Sequence, residues 1–263
     1  MNSPDISVFA NLKDRALRDE GIFIAEGGFL VERALASGLE MIATLCSARM
    51  AERIAPLAQG RCPLVIADES EIARLVGFPF HRGVMTAGRR PAPLGIERFL
   101  ASNPPARRLV ICAGLDSDDN LGSIMRSAAA LDYDAIARTP GGSDPWSRRA
   151  LRASMGAGFT LPVLAIGRED DAVGALRDHG FAVYATVLAS DARPIPAFRA
   201  CGKHALVFGN EASGLDAAWR DRCDRAITIP IARGDSLNVG VAAGIFMYHC
   251  SLLAGDGDPA EHP

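Results

Sequence analysis

A glycine turn between two apolar segments is the part of the chain whose residue types most favour a ligand site. The apolar segments cover residues 205–208 and 226–231, and the turn after the first is Gly-Asn-Glu-Ala-Ser-Gly, residues 209–214. Its first glycine would let main-chain amides approach a ligand with no Cβ in the way, and its last permits a positive φ. A third segment, Ser-Leu-Asn-Val at 236–239, opens an apolar helix. We interpret the three loops as a small-molecule pocket.

An acidic turn precedes a second candidate segment. Asp116, Asp118 and Asp119 come just before a predicted helix that contains Asn120 and Arg126. Such a turn is typical of a helix start, where Asp118, Asp119 or Asn120 would accept bonds from the free amides. Three carboxylates could also bind Mg²⁺ and support a hydrolase, but no distant carboxylate is tied to them by the sequence. We therefore predict no metal site and keep the hydrolase as an alternative.

Closely spaced arginines mark a third segment, residues 149–158. Arg149 and Arg152 are followed by Ser154 and two glycines. This pattern is ordinary for a basic helix with a glycine at its C-terminus. It equally fits a turn that grips an RNA backbone. The residues alone do not separate these two interpretations.

Composition limits the classes of protein to consider. With 263 residues, of which 49% are hydrophobic, the chain can bury a full core in one large domain or two unequal ones. The net charge of −3 gives no overall attraction to polyanions. Six cysteines without a C-x-x-C pair fit reduced thiols in a cytoplasm. We expect no signal peptide and no membrane-spanning segment, and the absence of G-x-G-x-x-G and Walker A sequences disfavours cofactors bound through those phosphate cradles.

The elements that must position these residues divide at the Pro-rich stretch 89–93. Before it we predict a small α/β layer, and after it strands alternate with helices, which favours a parallel sheet covered on both faces. Ligands of such sheets bind at the carboxyl ends of the strands, where the candidate loops fall. The predicted strands are 21–25, 42–47, 64–67, 109–113, 135–137, 161–166, 181–188, 205–208 and 226–231, and the predicted helices are 12–18, 28–36, 51–59, 69–76, 121–131, 148–155, 171–178 and 237–253.

Five motifs occur in order along the second part: NLGSIMR, RASMGAGFTLPV, LVFGNEASGL, ITIPI and SLNVGVAAGI. Together they resemble the SpoU (TrmH-type) family of RNA ribose 2′-O-methyltransferases in the SPOUT superfamily. The early stretch LKDRALRDEGIFIAEGGFLVERAL is similar to the L30e-like substrate-binding domain of many members. The resemblance implies an α/β protein with an L30e-like domain at 1–93 and a parallel-sheet SPOUT domain at 94–263. It also implies a deep trefoil knot at about 204–253, a rare exception to unknotted folds.

The resemblance implies an enzyme that uses S-adenosylmethionine to methylate a ribose 2′-hydroxyl of rRNA or tRNA, acting as a cytoplasmic homodimer. By residue match, Gly209, Ile229 and Leu237 would bind the cofactor through main-chain groups. Asn210 belongs to the same loop, and Pro230 would help frame an apolar slot for adenine. A protein of this fold that binds RNA without turnover is the alternative function.

The resemblance also implies roles around the transferred methyl group. Arg126 matches the family's catalytic arginine. A neutral arginine at pH 7 would cost roughly 7 kcal/mol, so we assign it to gripping an RNA phosphate and orienting the hydroxyl, with the proton acceptor left open. Asn120 would shape its turn and Glu211 would orient Arg126 or its neighbours. Ser236 and Asn238 would bond the ribose or fix the knot loops.

Two features fit the family pattern less closely. Where many members have Phe-Gly after the first motif's helix, this chain has Leu131, Asp132 and Tyr133. The N-terminal part also matches less specifically, so the cations that would grip RNA there are candidates only. These are Lys13, Arg15, Arg18, Arg82, Arg89 and Arg90.

Overall fold

The structure is a computed structural model that describes residues 6–10, 12–167, 169–200 and 202–252. Cys201 and the predicted helix end at Leu253 lie outside these residues. Contacts divide the chain into two units: Met1–Ala92 with Asp144–Thr160, and Pro93–Ser143 with Leu161–Pro263. The segment Asp144–Thr160 thus belongs with the first unit, although the sequence division assigns it to 94–263.

The first unit is an α/β layer with a four-stranded mixed sheet in the order β1-β4-β2-β3. Strand β4 lies antiparallel to both β1 and β2, while β3 is parallel to β2. The elements are α1 (Asp14–Asp19), β1 (Ile22–Glu26), α2 (Gly28–Ala36), β2 (Met41–Cys46), α3 (Ala48–Ala58), β3 (Leu64–Ile66), α4 (Glu69–Val76) and β4 (Val84–Arg89). Strand β4 is not predicted from the sequence, and its last residue falls in the predicted linker.

An aromatic cluster joins Asp144–Thr160 to the first sheet. The ring of Phe23 in β1 lies 5.4 Å from the rings of both Trp146 and Phe159. All three side chains are buried in one core with residues of α2 and α3. The segment Asp144–Thr160 therefore completes the hydrophobic core of the first unit.

Two buried carboxylates anchor the same segment. Arg90 Nη1 donates to both oxygens of Asp144 at 3.0 and 2.8 Å, and Arg18 Nε donates to it at 3.2 Å. Glu26 accepts from Arg148 Nη2 at 2.9 Å and lies 3.6 Å from Arg82 Nε. Three of the candidate RNA-gripping cations, Arg18, Arg82 and Arg90, thus already face a carboxylate within their own unit. Arg89 Nη1 donates to the Glu20 carbonyl, and Lys13 and Arg15 are exposed.

The second unit is built on an eight-stranded, all-parallel sheet in the order β10-β12-β9-β11-β6-β7-β8-β5. This confirms the predicted parallel sheet. The elements, with α7 belonging to the first unit, are β5 (Leu94–Gly95), α5 (Ile96–Ser102), β6 (Arg108–Cys112), α6 (Asp118–Ala130), β7 (Ala135–Arg138), α7 (Arg148–Ala153), β8 (Val163–Ala165), α8 (Glu169–Asp178), β9 (Ala182–Thr186), β10 (Arg193–Pro194), β11 (His204–Phe208), α9 (Ala217–Arg222), β12 (Arg225–Thr228) and α10 (Val239–Leu252).

Two helices of the second unit, α5 and α9, are not predicted from the sequence. Helix α9 is short, starts at an Asp216 cap that accepts from Ala218 N, and buries Trp219. Asp132 takes a φ of 59° in the turn after α6, a conformation in which aspartate is among the better tolerated residues. The adjacent Tyr133 is buried and its hydroxyl lies 3.3 Å from His204 Nε2. No helix among the described residues is long and apolar enough to cross a membrane.

Candidate functional site

A cavity of about 620 Å³ lies within the second unit, where β9, β11 and β12 end. Its walls come from the turn after β11, the loop after β12 and the first residues of α10. Parallel sheets hold ligands at this end of their strands, because several loops converge there. The lining includes Asn120, Gly209, Asn210, Glu211, Ile229, Ser236, Leu237 and Asn238.

The turn after β11 is closed by its own hydrogen bonds. Asn210 and Gly214 exchange two main-chain bonds of 2.9 Å, and the Asn210 side chain accepts from Ala212 N and Ser213 N. Gly214 takes a φ of 74°, as the sequence predicts. At Gly209 the reason for glycine differs from the expected approach of a ligand. A Cβ there would lie 2.3 Å from Leu215 N, so the turn itself excludes a side chain.

A chain of three polar side chains crosses the cavity wall. Asn120 Nδ2 donates to Glu211 Oε1 at 2.9 Å, and Asn238 Nδ2 donates to Asn120 Oδ1 at 2.9 Å. The Oδ1 atom of Asn238 accepts from Gly240 N and Val241 N in the first turn of α10. These hydrogen bonds therefore fix the starts of α6 and α10 relative to the glycine turn.

Glu211 is held as an ionised carboxylate. Besides Asn120, the main-chain amides of Asp116 and Ser117 donate to it, each at 3.1 Å. Partial burial on its own would raise the pKa of Glu211, but the hydrogen bonds from Asn120, Asp116 and Ser117 outweigh it and the pKa lies below its ordinary value. Glu211 thus places a fixed negative charge on the cavity wall.

Within this chain, the side chain that bonds Glu211 is Asn120. Within the described part of the chain, no hydrogen bond or ion pair joins Glu211 to Arg126; the carboxylate bonds Asn120 instead. Arg126 is exposed on α6 and does not line the cavity, and neither does Pro230. Of the ten residues expected at the site, these two lie outside the cavity lining of this chain.

Sequence reasoning missed one wall of the cavity. Thr186 and the three residues after it, Val187, Leu188 and Ala189, line the cavity where β9 ends, and Arg220 of α9 lines it as well. The feature that could have identified this wall is the position of the loop at the carboxyl end of a parallel strand, where ligands bind. The loop carries no glycine motif, so only that position could have identified it.

The acidic turn serves the start of α6. Ser117 caps the helix by accepting from Asn120 N at 3.3 Å, rather than Asp118, Asp119 or Asn120 as expected. Asp116 accepts from Asn210 Nδ2 at 2.8 Å, which ties this turn to the glycine turn. Across the described residues, no group of three His, Cys, Asp or Glu side chains could hold a metal ion.

Comparison with known proteins identifies the family. Residues 107–248, more than half of the chain, match the SpoU rRNA Methylase family. The chain belongs to the SpoU rRNA methylase family. A Mycobacterium tuberculosis relative of this SpoU-family chain, described as an uncharacterized tRNA/rRNA methyltransferase, is 36% identical over 235 residues, which cover 87% of this chain and 80% of the relative. The Bacillus subtilis 23S rRNA (guanosine(2553)-2′-O)-methyltransferase RlmP is 33% identical over 55% of this chain and 58% of its own length.

Solved structures share the fold of this SpoU-family chain. An AdoMet-bound rRNA methyltransferase from Sinorhizobium meliloti has a TM-score of 0.79 and 24% identity, covering 92% of each chain. The SpoU methyltransferase AviRb from Streptomyces viridochromogenes, in complex with AdoMet, has a TM-score of 0.78 and 23% identity over 96% of this chain and 97% of its own. These likenesses confirm the expected α/β fold with a parallel sheet.

Proposed function

We propose that this chain is an S-adenosylmethionine-dependent RNA methyltransferase that transfers a methyl group to a ribose 2′-hydroxyl of rRNA or tRNA. The observation that carries the proposal is the cavity of about 620 Å³ at the carboxyl ends of β9, β11 and β12, walled by the family's ordered motifs. This volume is ordinary for a small-molecule site. Family membership supplies the reaction class and the cavity supplies a place for the cofactor.

The residues present fit this cofactor. Leu188 and Leu237 on the cavity wall are 60% and 39% exposed, so an adenine ring would cover apolar surface that otherwise faces water. Glu211 places a negative charge on the same wall, which suits a ligand with a positive charge. When bound, S-adenosylmethionine supplies an electrophilic methyl group. The sulfonium that carries this methyl group is the leaving group and becomes a neutral thioether.

We assign binding and orientation of the cofactor to main-chain groups of the cavity loops. Gly209, Ile229 and Leu237 lie on three different loops around the cavity, and we assign their main-chain groups to the cofactor. Asn210 is occupied by bonds to Gly114 O and Asp116 Oδ2, so it holds the glycine turn in place. Ser236 on the cavity wall is available to the ribose. Pro230 lies outside the cavity lining.

Arg126 needs a second copy of the chain to act. It follows Asn120 by six residues on α6, which places it about 120° around the helix from the cavity-facing position. Helix α6 packs against α10, where Gly244 lies close to Ser127. We therefore assign Arg126 to the cavity of a partner chain, where it grips an RNA phosphate and orients the ribose hydroxyl.

An apolar stripe on α10 supports this homodimer. Val241, Ile245 and Tyr248 are 54%, 41% and 55% exposed and share one face of the helix. Burying such a stripe against a second copy would remove it from water. Ile245→Arg is expected to give a monomer in sedimentation velocity. Leu57→Arg, at an apolar residue of the first unit that is 39% exposed, is the control and keeps the dimer.

Mixed dimers test the placement of Arg126. Arg126→Ala is expected to lower methyl transfer about 100-fold while S-adenosylhomocysteine affinity stays unchanged. Gly209→Ala is expected to abolish the cofactor site. Dimers that combine one chain of each variant would regain part of the activity, because an intact cavity then meets an intact arginine. No recovery would place Arg126 at the cavity of its own chain.

The remaining parts of the proposal concern the whole enzyme. We assign the family's trefoil knot to about 204–253. We assign residues 1–93 to an L30e-like module that contacts the RNA with exposed cations such as Lys13 and Arg15. A phosphate footprint predicts that RNA affinity falls steeply as salt rises. We place the enzyme in the cytoplasm, where its RNA substrates are.

Mapping ribose methylation in total RNA from cells with and without the gene tests the function. Loss of one 2′-O-methyl site, restored by the wild-type gene and not by Arg126→Ala, is the expected result. An unchanged methylation map, with no binding of S-adenosylhomocysteine by calorimetry, would instead leave an RNA-binding protein without turnover.

A further inference from the structure

Arg220 carries the single positive charge among the described residues that line the cavity, and Glu211 carries the single negative one. Arg220 lies on α9 next to the buried Trp219, which fixes the helix in the core of the second unit. Its position is therefore set by the fold rather than by a mobile loop. A charge placed in this way is expected to meet a charge on the ligand.

An ion pair orients the guanidinium of Arg220. Its Nη2 atom donates to Asp191 Oδ2 at 2.6 Å. Asp191 follows the cavity-lining residues Leu188 and Ala189, and its side chain is 70% exposed, against 36% for Arg220. Asp191 itself does not line the cavity. The pair thus lies at a solvent-exposed edge of the cavity. Among the described residues, the other guanidinium N–H groups of Arg220 have no hydrogen-bond partner.

We propose that Arg220 binds the carboxylate at the amino-acid end of the cofactor, with Asp191 as the residue that positions it. The inference rests on the proposed function. The cofactor carries two positive groups, the sulfonium and the ammonium, and one negative group, the carboxylate. A guanidinium repels the first two, so the favourable arrangement brings Arg220 to the carboxylate.

Exposure supports the same orientation. The amino-acid end is charged and stays partly hydrated at an exposed edge of the cavity, so its desolvation costs little. The apolar wall formed by Leu237, Ile229 and Phe246 then faces the adenosine end. A guanidinium–carboxylate contact is charge-assisted and planar, so it selects ligands that keep the carboxylate.

Two ligands that differ in the amino-acid end test the inference. S-adenosylhomocysteine has the carboxylate, whereas 5′-methylthioadenosine lacks the entire amino-acid group. Calorimetry with Arg220→Ala is expected to show about tenfold weaker binding of S-adenosylhomocysteine and unchanged binding of 5′-methylthioadenosine. Arg225→Ala, at an exposed arginine where β12 begins, is the matched control and changes neither affinity.

A second variant tests the positioning role of Asp191. Asp191→Ala is expected to weaken S-adenosylhomocysteine by about threefold, again without effect on 5′-methylthioadenosine, and Asp191→Glu restores part of the loss. Urea unfolding of each variant shows that the fold is retained. Equal weakening of both ligands, or no change in either, would overturn the assignment. A wild-type protein that binds neither ligand would instead contradict the proposed function.

Discussion

The side-chain amide of Asn120 is used at both ends, which explains why this position needs an asparagine. Its NH₂ group donates to Glu211 and its oxygen accepts from Asn238, each at 2.9 Å. Aspartate has the same shape but offers no donor, and leucine offers neither group. The contact between α6, α10 and the glycine turn therefore depends on one neutral, two-ended side chain.

Asn120→Asp is expected to weaken S-adenosylhomocysteine binding at least tenfold at pH 7. The new carboxylate would face Glu211 Oε1 at the distance of the present hydrogen bond, and two like charges there repel. Lowering the pH toward 5 would protonate one of the pair and restore part of the affinity in calorimetry. Asn103→Asp, on a helix end away from the cavity, serves as the control. Affinity that does not recover in acid would contradict the charge-repulsion account.

Glu211 predicts an acid-dependent stability. Its pKa is lowered in the folded state, so its contribution is present above the ordinary glutamate pKa and is lost as the pH falls through the folded-state value. Wild-type unfolding free energy, measured by urea titration between pH 6 and pH 3, is expected to fall more steeply than that of Glu211→Gln. The other carboxylates act alike in both proteins, so parallel curves would rule out this role.

Eight of the ten residues predicted for the site line the cavity, because the residue types in the motifs carry the chemistry. Gly209, Glu211 and Asn238 were identified from their motifs, and the cavity brings them together. The prediction that Glu211 orients Arg126 or its neighbours stays a prediction, because within one chain the helix is capped by Ser117 and the carboxylate bonds Asn120. Spacing along a helix does not reveal which face meets another loop.

At the scale of elements, the turn after β11 is determined by its own close packing. A Cβ on Gly209 would lie 2.3 Å from Leu215 N and 2.4 Å from Gly214 O, which are main-chain atoms that cannot rotate away. A Cβ on Gly214 would meet nothing within 4 Å. Two glycines of one turn thus have different reasons to be glycine.

Gly209→Ala is expected to abolish S-adenosylhomocysteine binding, since the turn must open to accept the methyl group. Gly214→Ala keeps the binding and loses only about 1 kcal/mol of stability, the cost of a positive φ for a residue with a side chain. Calorimetry and urea unfolding of the two variants separate these effects. Equal losses of affinity would show that the turn is not closed in the way described.

Strand β4 shows what element prediction from one sequence cannot reach. Its residue Gly88 faces Phe23, whose ring would lie 2.5 Å from a Cβ, so a large neighbouring ring requires a glycine inside a central strand. Glycine lowers strand propensity, and the following prolines mark a linker. The strand forms because β1 and β2 pair with it on both sides, which is tertiary information.

For the whole molecule, the first unit is assembled from two separate parts of the chain. Its ion pairs and aromatic core need Asp144–Thr160 as much as residues 1–92. A single domain boundary placed along the sequence separates Asp144–Thr160 from the first unit, although this segment packs there. The composition shift near residue 93 is real, but contacts between distant residues decide where a unit ends.

Asp144→Ala is expected to destabilise the first unit by about 3 kcal/mol, because Arg90 would stay largely buried without its carboxylate. Glu69→Ala is the matched control, since its pair with Arg49 is half exposed and contributes less than about 1 kcal/mol. Urea unfolding measures the loss of unfolding free energy in both variants. Similar losses in the two variants would argue against a buried clamp at Asp144.

The positions of the two tryptophans have a practical consequence for measuring such effects. Trp146 is 9% exposed in the core of the first unit and Trp219 is 5% exposed in the core of the second. Each unit therefore contains its own intrinsic fluorophore, and the chain has no others of this kind. Trp146→Phe and Trp219→Phe would each leave one emission signal, so the melting of either unit can be recorded in the intact enzyme without a label.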